Sequence, residues 1–226
     1  MRQSLAILKL NLILLFKDKI SLLWGLLLPA VMLILNIHNI HASNQLVYWW
    51  TYIFFNSFIY GVGLYALNEK DSGSLIFIYS IKWINFRFFF GCVLTQIVYG
   101  IACMLLFNVL AAFLLNYNFL TLCLYALLSL LLCIPVAFIS YNLTFIKSLY
   151  SSSINSICNI LIFSMFIMIG FETKLNEYNP LYKISTIQVN ILNGVLPLNS
   201  IVILILLLIL SIPSIYFFKP ISIESR

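Results

Sequence analysis

The 226 residues are 63% hydrophobic and 8% charged, with a formal net charge of +6 and a mean hydropathy of +1.09. An ordinary globular domain carries about 25% charged residues, so this composition is that of an integral membrane protein, and no interval between apolar runs reaches the roughly 50 residues of an independent soluble domain. The twelve Lys and Arg are scattered beside apolar runs without the continuous basic stripe of a nucleic-acid interface.

Residues 1–19 are apolar but interrupted by Arg2, Gln3, Ser4, Lys9, Asn11 and Lys17, which predicts a helix lying in the membrane interface. No small-residue cleavage site follows, so a removed signal peptide is not expected. A first crossing is expected over about 20–37, kinked near Pro29. The link that follows holds both histidines, His38 and His41, three residues apart. With no cysteine or carboxylate beside them, they read as interfacial polar residues rather than metal ligands.

A second crossing is expected over about 46–67, opened by Tyr48, Trp49 and Trp50 at a membrane-water boundary. The charged stretch 68–87 interrupts the apolar pattern with Glu69, Lys70, Asp71, Lys82 and Arg87. Asp71 or Ser72 can cap a helix beginning near Gly73, and Glu69 and Asp71 suit the positive end of its dipole. From Leu75 to Ile81 that helix is apolar on most of its circumference. One face can rest on the crossings, and the other then asks for a protein partner.

Further crossings are expected over about 88–114, 120–140, 154–170 and 200–218, the fourth containing Pro135 and the sixth Pro213. Between the last two, 171–199 holds Glu172, Lys174, Glu177, Lys183, Pro180 and Pro197, yet Leu181, Ile184, Gln188, Ile191 and Val195 keep helical spacing. A short amphipathic helix packed in the outer interface satisfies that pattern. The fold class is therefore all-α: one membrane domain of six crossings, with an interfacial helix, a charged-loop helix and an outer segment.

Ten Lys and Arg fall on one side of this arrangement and two, Lys174 and Lys183, on the other. The positive-inside rule puts both termini and the 68–87 loop in the cytoplasm. No crossing has an ionisable group near its centre, as proton relays and ion-coupled carriers require. There is no Gly-x-x-x-x-Gly-Lys-Ser/Thr and no buried nucleophile with a base. Neither catalysis nor a cofactor of its own is expected. Gly61-Val62-Gly63 reads as a close-packing point. Asn56, Ser57, Gln96, Asn108, Asn155 and Asn159 are the polar residues inside crossings; Asn155 and Asn159 share a helix face and either bond a neighbouring helix or line a path.

Glu69-Lys70, then Gly73-Ser74-Leu75 after the second crossing, an apolar helix ending near Ser80, and Asn179-Pro180-Leu181 before the last crossing together resemble the ABC-2 type permeases, membrane subunits of exporters related to the ABCG architecture. The resemblance covers nearly the whole chain. It implies that Glu69, Asp71, Gly73, Ser74, Leu75, Ile76, Tyr79 and Ser80 form a coupling helix docked on a separate ATPase subunit, which binds ATP and magnesium. It also implies a second permease half, the same or a related chain. The second and fifth crossings usually face the path in that family, which marks Phe55, Phe58, Asn155 and Asn159. The minimal loops are similar to those of the small bacterial branch handling toxin or antimicrobial peptides, including lantibiotic-immunity and phenol-soluble-modulin exporters of the plasma membrane. A non-transporting scaffold that recruits a cytoplasmic partner is the competing expectation.

Overall fold

The computed structural model describes residues 7–13, 19–81, 84–146, 150–171 and 173–220. Arg2, Lys17, Lys82, Trp83, Lys147, Glu172 and Arg226 lie outside the described residues, as do the flanks of the N-terminal helix expected over 1–19.

The described chain is helical and contains no strand. In order it forms α1 (7–13), α2 (Lys19–Leu35), α3 (Val47–Phe58), a π-helical segment (Ile59–Leu64), α4 (Tyr65–Asp71) and α5 (Ser74–Ile81). Then come α6 (Asn85–Leu115), α7 (Phe119–Tyr141), α8 (Ser151–Ile169), α9 (Pro180–Leu192) and α10 (Leu198–Tyr216). Four of these, α6, α7 with its extension to Phe145, α8 and α10, are long and apolar enough to cross a membrane. They occupy the stretches expected for the last four crossings.

The second expected crossing is one helical rod over 47–71, about 37 Å long at 1.5 Å per residue. Its middle widens into a π turn, where the Tyr65 amide donates to the Tyr60 carbonyl five residues back. Such an insertion frees carbonyls that a neighbour must satisfy. Ser140 Oγ of α7 packs at the start of this turn, donating to the Phe58 carbonyl at 3.3 Å.

Turn chemistry sets the helix ends. Asn116 takes a left-handed φ of 55° at the end of α6, and Asn118 accepts from the Leu120 amide at 2.9 Å to start α7. At the other end of α6, Asn85 donates to the carbonyls of Tyr216 and Phe218, at 2.9 and 3.0 Å, and so ties α6 to the last turn of α10.

α7 is the most enclosed of the four long helices and stands at the centre, against the rod, α6, α9 and α10. Trp50, Phe54, Phe58, Phe89, Phe107, Tyr141 and Phe218 fill the interior. A buried polar link crosses it, from Trp50 Nε1 to Asn108 Oδ1 at 2.7 Å. By contrast, α8 and α10 turn broad apolar faces outward.

The segment over 171–199 folds into α9, as its spacing predicts. Asn179 caps it by accepting from the Leu181 and Tyr182 amides, with Pro180 at the first position where a missing N–H is harmless. Gln188 pins it to α7, donating to the Tyr125 carbonyl at 2.8 Å and accepting from Ser129 Oγ at 2.5 Å.

Candidate functional site

Two connected features stand out: the corner joining α4 to α5, and a cavity walled by the rod. The corner depends on Gly73, whose φ of +71° lies in the left-handed region that costs other residues about 1 kcal/mol or more. It closes α4 with the Gly73 amide donating to the Lys70 carbonyl at 3.2 Å and the Ser72 amide donating to Asn68 at 2.9 Å. The Glu69 carbonyl accepts from both Ser72 Oγ, at 3.1 Å, and Ser74 Oγ, at 3.0 Å; Ser74 also donates to the Glu69 carboxylate. Glu69, Gly73 and Ser74 thus shape the turn.

Beside them, Lys70 and Asp71 reach a different part of the chain. Lys70 is buried, and its Nζ donates at 2.5 Å to the Thr144 carbonyl, just past the end of α7. Asp71 Oδ2 accepts at 2.9 Å from the Ser151 amide, the first residue of α8, whose own cap position, Tyr150, supplies no side-chain bond. A cation stands at a helix C-terminus and an anion at a helix N-terminus, the favourable placement for both dipoles. Consecutive residues therefore grip the linker between α7 and α8 from its two ends.

The grip continues along α8. Asn155 Nδ2 donates to Asn68 Oδ1 at 3.2 Å, and Tyr60 Oη donates to Asn159 Oδ1. Ser151, Asn155 and Asn159 are each four residues apart, so one polar edge of α8 is stitched to the rod from Asp71 back to Tyr60.

The cavity, of about 1000 Å³, opens beside this seam. The rod supplies Tyr52, Asn56, Ser57, Tyr60, Gly61, Tyr65 and Asn68; α6 supplies Thr95, Gln96 and Tyr99; α8 supplies Asn159, Ile160, Ile162 and Phe163. Gly25 and Leu28 of α2 and Asn11 of α1 complete the wall. No carboxylate, lysine, arginine or histidine is among these residues. Gly61 lies against the Gln96 side chain, and Gly63 against the Ser140 backbone, so both act as close-approach positions.

The expected docking residues divide. Leu75 and Tyr79, one turn apart on α5, are buried against the bundle, with the Tyr79 ring 6.0 Å from Phe218. Burial pushes the Tyr79 phenol up, so it stays neutral. Ser74 and Ile76 face outward, and Ile76 is 44% exposed. Glu69, Asp71 and Gly73 are half-buried, and Ser80 belongs to the last turn of α5.

The expected path residues divide as well. Asn159 lines the cavity and Asn155 lies in the seam beside it. Phe55 and Phe58 are buried in the core and do not line the cavity. Sequence reasoning gave Asn11, Tyr60 and Lys70 no role in a site. Asn11 is buried between Tyr65, whose hydroxyl donates to it at 3.1 Å, and Cys92. Its signal is a polar residue inside an apolar run; that of Lys70 is a lysine between two carboxylates.

No family model, curated protein or solved structure matches this chain.

Proposed function

We propose that the chain is the membrane-spanning permease subunit of an exporter powered by a separate ATP-binding subunit, moving hydrophobic or amphipathic peptides out of a bacterial cell. In this reading α2, the 47–71 rod, α6, α7, α8 and α10 are six crossings, and the ten-to-two distribution of Lys and Arg keeps both termini in the cytoplasm. A second permease half, the same or related, completes the translocation path. ATP and magnesium belong to the partner ATPase.

The observation that carries the proposal is the corner at Gly73. It joins α5, whose Ser74 and Ile76 face outward, to the rod, and through Lys70 and Asp71 to the linker that starts α8. The rod and α8 are two walls of the cavity. A push on α5 is therefore delivered to both at once, as a bundle switching between inward-open and outward-open arrangements requires. A cavity whose described lining is uncharged and rich in aromatic rings suits apolar cargo, because burial of apolar surface drives the binding.

The test is purification with the candidate ATPase in mild detergent and measurement of cargo-dependent hydrolysis. Glu69→Ala removes the carboxylate that holds Ser74, and Gly73→Trp puts a large side chain on the left-handed turn. Both are expected to abolish cargo stimulation while the partner keeps its basal rate. Unchanged stimulation would sink the mechanism, and a copurifying partner without ATPase activity would favour the scaffold reading.

A further inference from the structure

Besides the corner at Gly73, α5 has a second attachment to the bundle, and it comes from the far end of the chain. Past Tyr216 the backbone leaves α10 and burial then alternates, with Phe217 and Lys219 exposed and Phe218 and Pro220 buried. That is the pattern of an extended strap lying on the bundle. Asn85 holds the strap in register, because its Nδ2 donates to the carbonyls of both Tyr216 and Phe218, at 2.9 and 3.0 Å. A shift of the strap by one residue would lose both bonds.

Phe218 is 1% exposed and meets three helices at once. Its ring centre lies 6.0 Å from that of Tyr79 on α5, 6.3 Å from Phe88 on α6 and 5.3 Å from Tyr141 on α7. All three fall within the roughly 4.5–7 Å over which aromatic pairs attract. The stack continues inward: Phe88 lies 13° from parallel with Phe218, and at 6.4 Å and 22° it faces Tyr65. Tyr65 lines the cavity, and its hydroxyl donates to Asn11, another lining residue. Four rings thus run from α5 to the cavity wall without passing through Lys70 or Asp71. Opening a gap of about 0.5–1 Å between touching groups already forfeits a quarter to a half of their dispersion attraction. The rings therefore move together or the stack comes apart.

We propose that Phe218 is the positioning residue that couples the seat of α5 to the cavity wall, through Phe88 and Tyr65. Its use as a second route for partner movement rests on the reading of α5 as the docking helix; the coupling itself does not.

Hydrogen exchange of the α5 amides, measured on the full chain in lipid nanodiscs, tests this through a double-mutant cycle. Phe218→Leu keeps an apolar side chain and removes the ring. It is expected to speed exchange over residues 74–81 roughly tenfold, as the loss of three ring contacts implies. Tyr65→Leu alters neither α5 nor the strap, yet is expected to speed the same amides roughly threefold, and to add nothing in the Phe218→Leu background. Tyr65→Phe keeps the ring, drops only the bond to Asn11, and should exchange like the parent. Phe88→Leu, one ring further in, takes the place of Phe218→Leu in the cycle if that chain does not fold. Exchange in α9, to which the stack contributes no ring, is the reference for a general loss of stability.

A Tyr65→Leu effect that persists undiminished beside Phe218→Leu would mean that it travels along the rod and the corner, and would overturn the proposal. Parent-like exchange of α5 in Phe218→Leu, or an acceleration shared equally by α9, overturns it as well. The assay contains no ATPase, so any of these results leaves the exporter reading standing. Conversely, failure to find a partner ATPase leaves a positive cycle intact.

Discussion

Gly63→Val is expected to melt far below the parent chain, with a loss of about 3 kcal/mol or more, at or above the upper end of the usual range for overpacked cores. A Cβ at this position would fall 2.7 Å from the Ser140 carbonyl carbon and closer still to its oxygen. The obstacle is backbone of the central helix, so no side-chain rotation relieves it, and the rod must move off α7. That movement also separates Ser140 Oγ from the Phe58 carbonyl. Gly170→Ala is the control, because its Cβ would meet nothing nearer than the Ile167 carbonyl at 3.4 Å. Thermal melting in mild detergent reads both; a Gly63→Val chain that melts with the parent would show that the rod and α7 are not in contact here.

What the sequence made legible was whatever depends on runs and spacing. The last four crossings, α9 over its amphipathic stretch and α5 after Gly73 all lie where hydropathy and capping residues place them. Contacts between distant positions were not legible. Phe55 and Phe58 were marked as path residues by the family resemblance; both are buried in the core and neither lines the cavity. The π turn at Ile59–Leu64 then changes the register of the rod, which leaves Tyr60 and Gly61 at the cavity. Leu75 and Tyr79 were grouped with the docking residues by the same resemblance; both are buried against the bundle, Tyr79 beside Phe218. Lys70 was read as part of the charged stretch, and Asp71 as a cap or dipole charge for the helix after Gly73. Their partners, Thr144 and Ser151, lie 74 and 80 residues away, beyond any local pattern.

Asp71→Ala is expected to speed amide hydrogen exchange in the first turn of α8 roughly tenfold, the equivalent of losing a helix cap worth about 1 kcal/mol together with a carboxylate at the positive end of the dipole. Ser151 N then has no side-chain acceptor, since Tyr150 offers none. Asp71→Asn keeps an oxygen at the same place and loses only the charge, so its exchange should lie between the two. Lys70→Met keeps most of the buried aliphatic stem and removes the donor to Thr144, loosening the same linker from its α7 end. Because both residues act on one short segment from adjacent positions, the double variant should lose less than the sum of the singles. Under the exporter reading proposed above, the three single variants should lower cargo-stimulated hydrolysis by the partner ATPase more than its basal hydrolysis, since α5 would still dock while its movement no longer reached α8. Exchange at residues 151–154 that is unchanged in Asp71→Ala would rule out the capping contact, and with it the route from the corner to the cavity.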